Sequence, residues 1–526
     1  MKISKFEILT ISLLFLITFI FLAKALSINW YNGMGDNATY ADITQTIAKT
    51  GKTQSQVLST TIDYIFNQKL VTITPAEIIN LKLETHLYNQ NIFRFHFTPI
   101  QYLFALLSKI FPLHILWESL TALFYLSLLF LTYFLLRTKQ IPIVSALILI
   151  IFISLHPAWN ISIFGQIYVD KVFLLTATIL LFALSQKKQS LLLITVSSLI
   201  SALIIEKTAI ITGILLISYS RLFWNRKNTS SQFKIFLLGS IIGLYGFVIV
   251  RFFLDNSYYS SFLSLSSITG FADYLSTYPN AYQNLVTFLL INAPFLLLGF
   301  FEWRALLIAI LMIIPNIFGN LGGAEKVGWV THYHLIYFPF LVWAGVLGYI
   351  NLQKKWLNKF GRLLLNIILI STTIIYGNVY NLKTFKLNQD SITKTVYSSW
   401  PMTTRTILRD SINPQGKYQQ QKQLEKFIAD NIPLNSKVSV PENLMIYLFQ
   451  KNRVYYYPLG IDDADYAVLH VNKNVSPFTY YGIYTFIGSD NNTKIDNILF
   501  DRMVKLKYDF NQSLIYNDVA IIKRIK

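Results

Sequence analysis

Apolar residues recur through the first 380 or so positions in runs that reach or approach the length of about 20 residues a bilayer crossing takes, several of them short for a full crossing, and such runs cease beyond that point. The first is Phe6–Ser27, behind Lys2 and Lys5. Its charge order matches a signal peptide, but it is long, lacks a small-x-small cleavage site and is followed by further runs. It reads as an uncleaved first helix with its amino end inside. Runs at 115–136, 141–156, 166–185, 190–205, 207–222, 233–254, 282–301, 303–318, 332–350 and 362–382 predict ten more spans, eleven in all. The stretch Thr98–Pro112 is too short to join them and predicts an interfacial or re-entrant helix.

The polar stretches complete the plan. Residues 28–97 form a long outer loop in which Ala38–Thr50 spaces Tyr40, Ile43 and Ile47 at helical intervals, and Gln56–Phe66 and Glu77–Tyr88 repeat the habit. Short amphipathic helices lying on the outer leaflet are the simplest reading. Gly239-x-x-x-Gly243, with Gly246 after it, predicts close helix packing. After residue 382 the pattern changes. Tyr418–Ile432 and 442–450 read as helices, while 437–440, 453–457, 466–471, 505–510 and 519–523 read as strands, the last two a hairpin across Asn511–Asn517. The expected fold class is an all-α polytopic membrane bundle (1–382) with a small α/β or α+β extracytoplasmic domain (383–526).

Composition agrees and adds direction. The chain is 53% hydrophobic and 13% charged, against about 25% charged in soluble domains, with mean hydropathy +0.46. Zero cysteines exclude a disulfide scaffold and any thiolate metal site. The net charge of +19 does not point to nucleic acid, because many cations flank apolar runs as topological anchors. Arg137/Lys139, Lys187/Lys188, Arg221–Lys234, Arg304 and the Lys354–Lys355–Lys359–Arg362 group fall on one side of the alternation. A cell-membrane protein with a cytoplasmic amino terminus and an extracytoplasmic C-terminal domain is expected.

Candidate chemistry gathers at the outer ends of the spans. Asp36, in Gly33-Met34-Gly35-Asp36-Asn37-Ala38, is a carboxylate beside tightly turning backbone, suited to general base work or to capping the helix that follows. Asp170, in Val169-Asp170-Lys171, begins a span, where a carboxylate is costly unless satisfied; a site and a local pair with Lys171 are both open. His96 and Pro99 open the 98–112 stretch. Glu206 and Lys207 separate two spans. Arg251, Lys326, His332 and His334 complete a set of groups able to meet a phosphate or to act as surface anchors. Asp462, Asp463 and Asp465 follow Gly460 and read as a solvated turn rather than a metal site. No metal or cofactor is indicated, although a divalent metal stays open.

These residues, in this order, resemble the GT-C superfamily of integral-membrane glycosyltransferases. The opening acidic motif stands as Asp36-Asn37-Ala38-Thr39-Tyr40-Ala41, the family's Pro-Pro turn as Thr98-Pro99 and its later Thr-Asp as Val169-Asp170. Asn37 replaces the expected Glu. More closely, the chain resembles an uncharacterised family of predicted membrane proteins through His96-Phe97-Thr98-Pro99, His156-Pro157, Glu206-Lys207, His332-Tyr333, and Ile432-Pro433 through Lys437-Val438 leading into Asp465-Tyr466. The resemblance implies a polyprenyl-phosphate sugar donor in the membrane lipid and transfer to a glycan, lipid or protein acceptor on the outer face, often without metal. Asp36 would be the base and Asp170 an orienting group, with His96, Glu206, Lys207, Arg251, Lys326 and His332 around the phosphate. A lipid-linked-glycan transporter or flippase, which would place charges at mid-membrane in matched halves, and a non-catalytic scaffold are the alternatives.

Overall fold

The computed structural model describes residues 4–28, 35–59, 88–94, 96–156, 168–186, 188–224, 229–254, 281–318, 334–377, 417–457, 460–470 and 500–525. The chain divides into two compact units. One comprises Met1–Leu26, Phe93–Ile100 and Ile115–Asn388; the other comprises Ser27–Ile92, Gln101–His114 and Gln389–Lys526.

The first unit is a helical bundle of α1 (Lys5–Ile28), α4 (Leu113–Thr138), α5 (Ile143–Ser154), α6 (Lys171–Leu184), α7 (Leu191–Ile204), α8 (Glu206–Leu222), α9 (Thr229–Phe252), α10 (Ala281–Gly299), α11 (Trp303–Phe318), α12 (His334–Asn351) and α13 (Lys359–Gly377). Within the described residues, a helix stands in each expected span. The count of eleven crossings needs correction, however: among the described residues five stretches are long and apolar enough to cross, Lys5–Lys24, Leu113–Thr138, Thr229–Phe252, Asn292–Ile314 and Leu335–Trp356. The helices α5, α6 and α7 are apolar but shorter. Lengths of 12 to 14 residues give about 18–21 Å of rise, less than the ~30 Å hydrocarbon core.

Polar contacts fix the bundle's direction. Lys139 Nζ donates to Ser185 O at 2.9 Å, and Tyr219 Oη donates to Leu184 O at 2.7 Å. The carboxyl ends of α4, α6 and α8 therefore meet, and these three helices run parallel. The amino end of α1 joins them through Arg137, whose Nε and Nη2 grip Glu7 at 2.5 and 3.0 Å while Tyr133 Oη donates to the same carboxylate at 2.8 Å. The helices α8 and α9 pack through glycine. A Cβ on Gly213 would lie 2.5 Å from Gly243 Cα, and one on Gly239 would lie 2.7 Å from Leu216 Cβ.

The second unit joins parts of the outer loop to the C-terminal region. In α2 (Gly35–Thr50) the apolar residues Ala38, Tyr40, Ala41, Ile43 and Ile47 are buried. Thr44 Oγ1 donates to Gln101 Oε1 of α3 (Gln101–Ser108) at 2.8 Å, and Asp42 accepts from Ser55 Oγ at 2.8 Å. This apolar face is covered by protein, so the reading of a helix lying on the leaflet is corrected. A second correction concerns 56–59, which belong to strand β1 (Gln54–Ser59), antiparallel to β2 (Tyr88–Asn91). The burial of Thr53, Ser55 and Val57 follows the period of two that marks a strand. The remaining positions of the two expected loop helices lie outside the described residues. The eight residues of α3 rise about 12 Å, far short of a crossing.

The C-terminal part is a five-stranded sheet in the order β4-β3-β5-β7-β6, with α14 (Lys417–Asn431) before it. Strand β3 (Lys437–Val440) pairs in parallel with β4 (Arg453–Tyr456) and β5 (Tyr466–His470), while β7 (Val519–Arg524) is antiparallel to β5 and β6 (Tyr508–Tyr516). Ala467, Leu469, Met503, Tyr508, Ala520 and Ile522 form its core. Two local readings change. The 442–450 helix is a 3-10 turn over Glu442–Tyr447, and most of Asn511–Asn517 is strand, with the chain reversing at Asn517, φ 54°.

Candidate functional site

The parallel run of α6 and α8 sets their amino ends side by side at the end of the bundle opposite Lys139. Both start with charge, Lys171 in α6 and Glu206 in α8. The helix α7 ends at Ile204, and a single extended residue, Ile205 (φ −160°, ψ 155°), reverses the chain before α8 begins at Glu206. Thr208 makes that reversal possible: its Oγ1 accepts the Ile205 N–H at 3.3 Å and lies 2.6 Å from Ser201 O. The result is a fixed pair of side chains, Glu206 and Lys207, at the tip of a helical hairpin.

Glu206 is fully buried. Its Oε1 faces His96 Nδ1 at 3.0 Å and its Oε2 accepts the Phe97 N–H at 2.8 Å. An ionised Glu206 can only accept and would place the imidazole proton on Nδ1; Nε2 is turned away from Glu206, on a side chain 30% exposed. The Ile100 N–H donates to Leu203 O at 2.9 Å, so the segment 96–100 is fastened over the hairpin tip at both ends. Thr98, fully buried within it, has an Oγ1 with no partner.

Asp170 precedes α6 where a cap would stand, yet its side chain makes no capping bond. Its Oδ2 takes Lys207 Nζ at 2.5 Å, and its Oδ1 is buried with no hydrogen-bond partner. The pair with Lys171 allowed by the sequence is replaced by this cross-helix pair. Lys171 is itself 3% exposed and interacts electrostatically with Glu118, in the second turn of α4. Glu118 is the residue that sequence reading missed, although it is the one charged side chain in the apolar run 115–136 and an acid in such a run carries that signal.

Two acid–base pairs thus stand together, His96–Glu206 and Lys207–Asp170, joined by the dipeptide Glu206-Lys207, and Lys171 beside Asp170 extends the row electrostatically toward Glu118. Charged groups buried in a helical membrane bundle are costly unless paired, which makes these residues candidates for a site. Arg251 is exposed in the last turn of α9. Asp36 lies in the first turn of α2 in the second unit, its side chain outside the described residues. Lys326 and His332 lie outside the described residues, as does the His334 side chain at the start of α12. His156, two residues beyond the end of α5, lies between the rings of Phe295 and Phe338, at 5.5 and 4.7 Å.

The acidic turn of the sheet domain is occupied from within the protein. Asp462 pairs with Arg502, Asp463 with Lys437 Nζ at 2.8 Å and with Tyr455 Oη, and Asp465 accepts the Lys437 N–H at 3.2 Å. Burial, and then the Asp463 carboxylate, push the Tyr455 hydroxyl well above its ordinary pKa.

A family model described as "Predicted membrane protein (DUF2079)" matches residues 54–497. The chain belongs to this family. That match takes in the loop from residue 54 onward, the hairpin tip and strands β3, β4 and β5, while α2 with Asp36 and strands β6 and β7 lie outside it. No curated protein matches the sequence. Among solved structures, the chain is similar to ArnT from Cupriavidus metallidurans bound to undecaprenyl phosphate, with 11% identity and a TM-score of 0.47 over 98% of each chain. It is also similar to the arabinofuranosyltransferase AftD from Mycobacteria, with 12% identity and a TM-score of 0.40 over 95% of this chain and 39% of that one. At these scores neither likeness decides fold or chemistry. What the chain's own residues establish is a polytopic helical membrane protein with a C-terminal sheet domain and a charged turn at one end of its bundle.

Proposed function

We propose that the protein is a glycosyltransferase that moves a sugar from a polyprenyl-phosphate donor to an acceptor at the charged end of the bundle. The observation that carries the reading is Asp170: one buried oxygen is held by Lys207 and the other is left without a donor. An unmet buried acceptor costs about 1–3 kcal/mol, and a sugar or acceptor hydroxyl is the kind of donor that would satisfy it. The motif resemblance described above supplies the reaction class. In the proposed step, Asp36 takes the proton of the acceptor hydroxyl, the acceptor oxygen forms a bond to sugar C1, and the C1–O bond to phosphate breaks with inversion. The bonding pair leaves on the polyprenyl phosphate. Asp170 orients a hydroxyl, and the cationic groups His96, Lys207, Arg251, Lys326 and His332 are the pool from which the phosphate's charge would be met.

The test is turnover of a panel of polyprenyl-phosphate sugars by the purified protein. Asp36→Asn keeps the shape and removes the base, so turnover should fall about 10²–10⁴-fold with expression and thermal stability unchanged. Asp170→Asn should also impair turnover, through positioning. Failure of every donor to release polyprenyl phosphate, or wild-type rates in both variants, would overturn the reading.

A further inference from the structure

At the opposite end of the same unit, four cations fall within nine residues: Lys354, Lys355, Lys359 and Arg362, in a stretch from Asn351 to Arg362 that contains no carboxylate. The backbone makes a tight corner of them. The helix α12 runs out in a π turn over Leu352–Trp356, and the N–H of Leu357 returns to Leu352 O at 3.1 Å. Asn358 Oδ1 then accepts the Gly361 N–H at 2.8 Å, opening α13, and Arg362 Nε donates back to Leu357 O at 3.2 Å. All four cationic residues are exposed, and among the described residues none of them pairs with a carboxylate. Glu302, which comes against this corner, is held instead by Asn351 Nδ2 at 2.8 Å.

A fifth cation stands close by. Burial and then the charge of Lys354 hold the Lys139 ammonium below its usual pKa. Like charges gathered without a counter-charge repel one another, so the corner favours an anion from outside the chain.

Its apolar side chains say what kind of anion. Trp356, Phe360 and Leu363 are 70%, 72% and 57% exposed, interleaved with the cations. Trp356 also closes the crossing stretch Leu335–Trp356, which puts its ring at the level where aromatic and basic side chains meet lipid headgroups. A water-borne acidic peptide would leave these three side chains in water on its far side, whereas a lipid covers them with its chains.

We propose that the α12–α13 corner binds an anionic phospholipid, with Lys354, Lys355, Lys359 and Arg362 around the headgroup phosphate and Trp356, Phe360 and Leu363 against the acyl chains. The site does not depend on the glycosyl-transfer reading.

The test uses the full chain in bilayers of phosphatidylcholine containing brominated phosphatidylglycerol or brominated phosphatidylcholine. Quenching of Trp356 is read as the difference between wild type and Trp356→Phe, since the chain has nine tryptophans. Brominated phosphatidylglycerol should quench at a several-fold lower mole fraction. Each neutralised charge should reduce that preference by up to about 5-fold, equivalent to the ~1 kcal/mol gained per Lys or Arg near an anionic surface. In K354Q/K355Q/K359Q/R362Q the two lipids should quench alike. Should that variant not fold, salt at about 0.5 M on the wild type is the equivalent test, because screening must remove the preference. Equal quenching by both lipids in the wild type at low salt, or a preference untouched by salt, overturns the proposal.

Discussion

Asp170 shows how little a residue's place in the sequence says about its partner. It stands directly before a helix and directly before a lysine, so capping and pairing with Lys171 were both natural readings. The structure gives it neither and instead carries Lys207 across from α8, with the salt bridge at 2.5 Å and Asp170 almost fully buried. Only the helix arrangement could reveal this, because the two partners are 37 positions apart. The energetic consequence is testable. Removing the cation alone, as in Lys207→Met, leaves a buried carboxylate uncompensated and should cost about 3–5 kcal/mol, seen as a large fall in thermal midpoint. Asp170→Asn combined with Lys207→Met should recover most of that loss, because neither charge remains. Equal destabilisation in the single and double variants would mean that the pair does not act as a unit.

Among the elements, periodicity predicted well where one period ruled and failed where contacts across the chain intervened. The helix α2 was legible in Tyr40, Ile43 and Ile47, yet what covers its apolar face was not, since that depends on α3 and on Asp42 meeting Ser55. The 56–59 segment was misread because its alternation is short and set among polar residues. The glycines of α9 were legible as a packing surface, but Gly213 of α8, which faces them, gave no pattern of its own. The two sides of that contact differ. A methyl at Gly213 would meet Gly243 Cα at 2.5 Å and Gly239 O at 2.9 Å, all backbone, whereas a methyl at Gly243 meets Gly213 Cα at an ordinary 3.6 Å. Gly213→Ala must therefore push two helices apart and should cost about 1–3 kcal/mol. Gly243→Ala should be nearly neutral in the same thermal or detergent-resistance measurement, and the reverse ranking would show that the helices pack differently.

At the scale of the molecule, the apolar runs located every described helix of the bundle but overstated the crossings: runs such as 141–156 and 190–205 are already short in the sequence, and the helices α5, α6 and α7 are shorter still. The charges are more informative about direction. Lys139, Ser185, Gln189 and Tyr219 meet at one end through the bonds from Lys139 to Ser185 O at 2.9 Å and from Gln189 Nε2 to Tyr219 Oη at 2.7 Å. Arg137 and Arg221 lie in the last turns of α4 and α8, Lys188 follows α6, and the Lys354–Arg362 corner leads from the end of α12 into the first turn of α13. The acid–base row lies at the other end, and Arg251 shares it, since a Cβ on Gly246 would touch Ile210 and Ala209 near the start of α8. Because Lys and Arg are retained on the cytoplasmic side, the basic end should face the cytoplasm and the acid–base row should open outward, the side on which the proposed acceptor would arrive. The chain contains no cysteine, so single cysteines report cleanly. Arg251→Cys should react with a membrane-impermeant maleimide on intact cells, whereas Lys188→Cys, exposed between α6 and α7, should react only after permeabilisation. Labelling of Lys188→Cys from outside on intact cells would invert the bundle and turn the acid–base row toward the cytoplasm, and with it the side from which any acceptor could reach Asp170.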